Sequence, residues 1–97
     1  MYDIHWKKQA INDLVKIGKG IAQAISMQAA ENTVDMIEEK VEKLETFPSL
    51  GRPGRKRGTK EMIASKEFFV VYRVLAGDDD AGSVEILRVK HTSQQYP

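Results

Sequence analysis

Arginine and lysine gather in the second half of the chain. Gly51–Lys60 carries Arg52, Arg55, Lys56, Arg57 and Lys60 with no acid among them. Arg73, Arg88, Lys90 and His91 follow within two apolar segments, and Tyr96 stands in the tail. Such a set can do two kinds of work. It can bind a phosphate backbone or an acidic protein through several weak contacts. It can also cleave RNA without a metal: the 2′-OH loses a proton, cations stabilise the pentacoordinate phosphate, and the leaving 5′-oxygen gains a proton. In that chemistry His91 or a tyrosine moves protons, while arginines offset the developing charge. Residue types alone favour binding. Arg73 and Arg88 can also serve only as strand residues whose aliphatic stems cover a core.

Other chemistries lack their residues. There is no cysteine, so neither a disulfide framework nor thiolate chemistry. His5 and His91 are far apart in sequence, no HExxH occurs, and the three aspartates Asp78–Asp80 do not have the spacing of a calcium loop. Pro48–Gly58 lacks the GxxxxGK[ST] order of a phosphate-binding loop. No cofactor and no metal are therefore expected. No apolar run approaches the roughly 20 residues of a membrane span, and MYDIHWKK lacks the apolar core of a signal peptide. The expected setting is the cytoplasm, with no membrane partner. Net charge is only +1, but Glu31–Glu45 is acidic while Gly51–Lys60 is basic.

The elements that must position these residues centre on Glu67–Ala76, EFFVVYRVLA. Phe68, Val70, Tyr72 and Val74 mark one face and Phe69, Val71 and Leu75 the other, as in a strand interior to a sheet. Lys60–Ser65 and Ser83–His91 read as its antiparallel neighbours. In the latter the alternation slips at Leu87, which signals a bulge or cover on both faces. Tyr2, Ile4 and Trp6 alternate with Asp3 and His5 as a half-buried first strand. Ala10, Leu14, Ile17 and Ile21 then follow helical spacing over about residues 7–24, with Asn12, Asp13 and Lys16 on the opposite face. Ser26 is placed to cap a second helix carrying the stripe Ala30, Val34, Ile37, Val41, Leu44. That helix must stop by Phe47–Pro48.

The expectation is one α+β domain over residues 1–97. An N-terminal strand and an antiparallel helix hairpin pack on an antiparallel sheet in the order β-α-α-β-β-β. The expected core is Ile4, Trp6, Leu14, Ile17, Val34, Ile37, Val41, Leu44, Val70, Tyr72, Val74, Ile86 and Val89.

This order of elements, with FPSLGRPGRKRGTKEM, then FFVVYRV, then VEILRVKHTSQQYP, resembles the RelE/ParE superfamily of bacterial toxins from type II toxin–antitoxin modules. The likeness spans nearly the whole chain. It implies a cognate antitoxin that wraps and neutralises the toxin in a hetero-oligomer, covering an apolar groove between hairpin and sheet. RelE-like members are ribosome-dependent endoribonucleases that cut mRNA, and ParE-like members inhibit DNA gyrase. RelE-like nucleases typically carry an arginine near where this chain has Phe68–Phe69, and a more basic C-terminal segment. The GRPGR…GTKE and RVKH…QQYP stretches look more like the ParE branch. The implied function is gyrase inhibition, with Arg52, Arg55, Lys56, Arg57, Lys60, Arg88, Lys90 and His91 engaging the target and no catalytic residue. The alternative is ribosome-dependent mRNA cleavage through Arg73, Arg88, His91 and Tyr96.

Overall fold

The computed structural model describes residues 1–77 and 82–93. Its elements are β1 (Asp3–Trp6), α1 (Lys8–Ala24), α2 (Met27–Glu42), β2 (Arg52–Pro53), β3 (Lys60–Ile63), β4 (Phe68–Ala76) and β5 (Gly82–His91), with a 3-10 turn at Lys43–Glu45. The strands form one five-stranded sheet in the order β1-β5-β4-β3-β2, and the helix hairpin lies on one face. The α+β architecture is the expected one, but the sheet is mixed. β1 pairs with β5 in parallel, the two being joined through the helices and the other three strands, a long connection of the kind that parallel neighbours require. β2 lies inside what the sequence presents as a plain loop.

The helices form for local reasons. α1 buries Ala10 fully and half-buries Leu14, Ile17 and Ile21. At α2 the Ser26 hydroxyl accepts from the Ala29 amide at 3.0 Å, the expected cap. Beneath the helices, Ile37, Val41 and Leu44 meet Val70, Tyr72, Val84, Ile86 and Val89, all buried. Ile4, Trp6, Leu14, Ile17 and Val74 pack on the rim of this core and stay partly exposed, and Val34 is likewise only half-buried. Ala10, Met62, Ala64 and Val84 belong to the core without having been expected there.

β4 is central, as its two apolar faces require, and Phe69 and Val71 are buried on the face turned away from the helix-side core. β4 and β5 pair from Phe68↔His91 to Ala76↔Gly82, with an irregularity between Val71 and Tyr72. Val71 pairs with Arg88 and Tyr72 with Ile86, so Leu87 is the extra residue of a β-bulge where the alternation slips. Asp78–Asp80 lie outside the described residues. Among those described, no helix is long and apolar enough to cross a membrane.

Candidate functional site

The basic loop is the turn of a small hairpin. β2 and β3 pair Arg52↔Glu61 and Pro53↔Lys60. The turn between them closes through the Gly54 amide to the Thr59 carbonyl at 2.8 Å and the Thr59 amide to the Lys56 carbonyl at 3.1 Å. Gly58 has φ +83°, which a side chain would strain. Arg55, Lys56 and Arg57 are thereby carried out at the tip, all three exposed.

One carboxylate organises this cationic turn from below. Glu61 is only 5% exposed. Its Oε2 accepts from the Arg55 amide at 3.1 Å, and its Oε1 lies 3.7 Å from the Arg52 guanidinium. At the base of the hairpin the buried Tyr72 hydroxyl donates to the Pro48 carbonyl at 2.9 Å and accepts from the Gly51 amide at 2.8 Å. Burial pushes the Tyr72 phenol above its ordinary pKa, against the pull of the Gly51 amide. A Cβ on Gly51 would sit 2.8 Å from both the Tyr72 hydroxyl and the Glu61 carbonyl, so only glycine fits there.

The strand cations sit elsewhere and already have anionic partners. Arg88 forms a two-pronged pair with Asp13 of α1, Nε to Oδ2 at 2.8 Å and Nη2 to Oδ1 at 3.0 Å. Asp13 Oδ2 also accepts from the Val89 amide at 2.9 Å. This amide lies on the β5 edge past the end of β1, so the carboxylate replaces a missing strand. Burial works to raise the Asp13 pKa, but the Arg88 and Val89 donors outweigh it and hold the group below its ordinary range. Arg73 pairs with Glu85 across the β4–β5 ladder, and Lys7 lies 3.7 Å from the same carboxylate. The Arg73 hydrogen bond lowers the Glu85 pKa.

His91 is exposed at the end of β5. Its ring meets Phe68 edge-on at 5.3 Å, and its Nδ1 lies 3.1 Å from the Ser93 amide. Lys90 and His91 line a cleft of about 370 Å³ between α1 and the sheet, together with Ile17, Ile21, Phe68 and Arg88. Tyr96 lies outside the described residues.

The cations therefore do not share one rim. Lys60, at the base of the hairpin, pairs with Tyr72, whereas His91 pairs with Phe68. Those positions are separated by roughly 13 Å along the strand at about 3.3 Å per residue. Arg52, Arg55, Lys56, Arg57 and Lys60 form one group, Lys90, His91 and Arg88 another, and Arg73 stands on the outer face with Glu85. Sequence reasoning missed the carboxylates. Helical spacing puts Asp13 opposite the apolar stripe of α1, yet it bonds to Arg88 and Val89 of β5. A lone acid within the short KEMI strand, next to a wholly basic loop, is the available signal for Glu61. Among the described residues no three histidine or carboxylate side chains converge into a metal-binding set.

The chain is thus a helix hairpin over a five-stranded mixed sheet, with a basic β-hairpin at one edge. Residues 4–96 match the family described as ParE toxin of type II toxin–antitoxin system, parDE. The chain belongs to that family, and membership implies an antitoxin partner. It is 35% identical over 95 residues to Y4kP of Sinorhizobium fredii, a protein with an inferred toxin role, covering 97% of this chain and 92% of the relative. In fold it is similar to a chain of the chromosomal ParDE system from P. aeruginosa. There the TM-score is 0.79 at 24% identity, covering 94% of this chain and 96% of that one. It is also similar to a YoeB/ParE toxin from Agrobacterium tumefaciens, with TM-score 0.63 at 18% identity over 92% and 97% of the two chains. At these identities the structural likeness concerns the fold alone.

Proposed function

We propose that this toxin arrests growth by binding DNA gyrase in the cytoplasm, and that its antitoxin neutralises it by covering the cleft between α1 and the sheet. The observation that carries the reading is the exposed tip Arg55–Lys56–Arg57, held out on the buried Glu61. A projecting cluster of three cations suits an acidic or DNA-bearing surface, and binding through it requires no bond to be made or broken. Arg73 and Arg88, the two arginines a ribonuclease would need, are held by Glu85 and Asp13. His91 is separated from the hairpin base by the strand distance given above. These placements support binding over cleavage.

The test is purified toxin with gyrase and plasmid, beside programmed ribosomes with mRNA. Inhibited supercoiling or trapped cleaved DNA with intact mRNA is the expected result. Inhibition should weaken gradually as Arg55, Lys56 and Arg57 are replaced one by one, with marked salt dependence. Codon-positioned mRNA cleavage that His91→Ala abolishes, with gyrase unaffected, would replace this reading with the ribonuclease one.

A further inference from the structure

The sheet ends on one side at β1, and among the described residues no strand lies beyond it. The Lys7 amide turns towards β5, where it donates to the Ile86 carbonyl at 2.9 Å. By strand alternation, Ile4 and Trp6 turn their backbone groups the other way, to the open edge. Tyr2 follows the same alternation: its outward amide donates to the Glu45 carbonyl at 2.9 Å. Beside this edge runs a groove of about 400 Å³ floored by Ile4, Trp6 and Val41. Glu38, Glu42 and Glu45 project along its far wall, and no lysine or arginine lines it. Exposed edges are commonly guarded by lysine or proline. Neither occurs in β1, which is guarded by its shortness and by the charge of Asp3 at its start, before the open positions at Ile4 and Trp6.

We infer that β1 is a docking edge for an extended, basic segment of a partner protein, which adds a further strand to the sheet. The backbone of the segment pairs with Ile4 and Trp6, the mode by which extended peptides join open sheets. Lysine or arginine at alternate positions faces the Glu38–Glu42–Glu45 row, while an acidic segment is repelled. Since β1 and β2 are opposite ends of the strand order, a chain bound here leaves the cationic hairpin uncovered. The inference does not depend on which target that hairpin engages.

The probe is a short synthetic peptide alternating lysine and valine, added to the full chain. Trp6, the single tryptophan, reports binding by fluorescence. Saturable binding is expected, with amide resonance changes centred on Ile4 and Trp6. Methylating alternate backbone nitrogens of the peptide should abolish it. Changing Glu38, Glu42 and Glu45 together to glutamine should weaken it about tenfold, as three exposed ion pairs allow. Glu31→Gln, on the same helix but outside the groove, should leave it unchanged, and the melting temperatures of both variants should match the parent. No binding, equal binding of a glutamate–valine peptide, indifference to backbone methylation, or resonance changes confined to the outer face of the helix hairpin would each overturn the inference.

Discussion

The β2–β3 hairpin and the α1–β5 seam both place arginine beside a carboxylate, yet the outcomes differ. At the seam, Asp13 takes both prongs of Arg88 and a backbone amide, so the arginine joins helix to sheet. At the hairpin, Glu61 spends one oxygen on the Arg55 backbone and meets Arg52 only at 3.7 Å, leaving the tip side chains to project outward. The lesson concerns what a carboxylate holds. One that grips a guanidinium makes it structural, and one that grips the backbone beneath a guanidinium presents it.

Substitutions can separate these roles. The largest effect should come from the core that both regions share: Ile37→Asp or Val70→Asp buries an unpaired charge and should leave the chain unfolded by circular dichroism. At the seam, Asp13→Ala should cost about 2–3 kcal/mol in urea unfolding, since it strands a charge-assisted pair and the Val89 amide. The folded pKa of Asp13 lies below its ordinary value of 3.8, so its stabilisation is complete above that value. As pH falls through the depressed pKa that stabilisation is lost, and Asp13→Ala should flatten this acid limb of the stability profile. An unaltered acid limb would show that the seam carries little of it.

Tyr72→Phe removes the clasp at the hairpin base and should cost about 1–2 kcal/mol. Since the Tyr72 pKa is raised, its contribution is full below the ordinary value of 10.0 and fades as pH rises through the elevated one. Glu61→Ala should cost about 1 kcal/mol while speeding hydrogen exchange at the Arg55 amide. Smallest of all, Arg55→Ala and Arg57→Ala should change stability by less than about 0.5 kcal/mol and still weaken target inhibition. A large melting shift in either would mean that the tip arginines are structural too, and the contrast with the seam would collapse.

Much of the fold could be read from periodicity, because a stripe such as Ala30–Val34–Ile37–Val41–Leu44 has one way to bury itself. The central position of β4 and the irregularity at Leu87 were legible for the same reason. The parallel entry of β1 was not, since a four-residue strand carries no mark of its neighbour's direction. The site was less legible than the fold. Positive residues announce themselves by clustering, but their carboxylate partners do not: Asp13 is 75 residues from Arg88 in the chain. Asp13 also occupies a helical position that looks solvent-facing until β5 is laid beside it.

Leu87 has a further consequence. It acts as a phase shift in the written pattern of β5, setting two residues, Leu87 and Arg88, against the single Val71. A chain lacking Leu87 alone could keep every cross-strand pairing intact and match β4 to β5 residue for residue. One deleted codon would thus remove the irregularity beside the Arg88–Asp13 pair while the sequence of every other residue stayed the same, and a weakened pair would show that the extra residue is what aims Arg88 at α1.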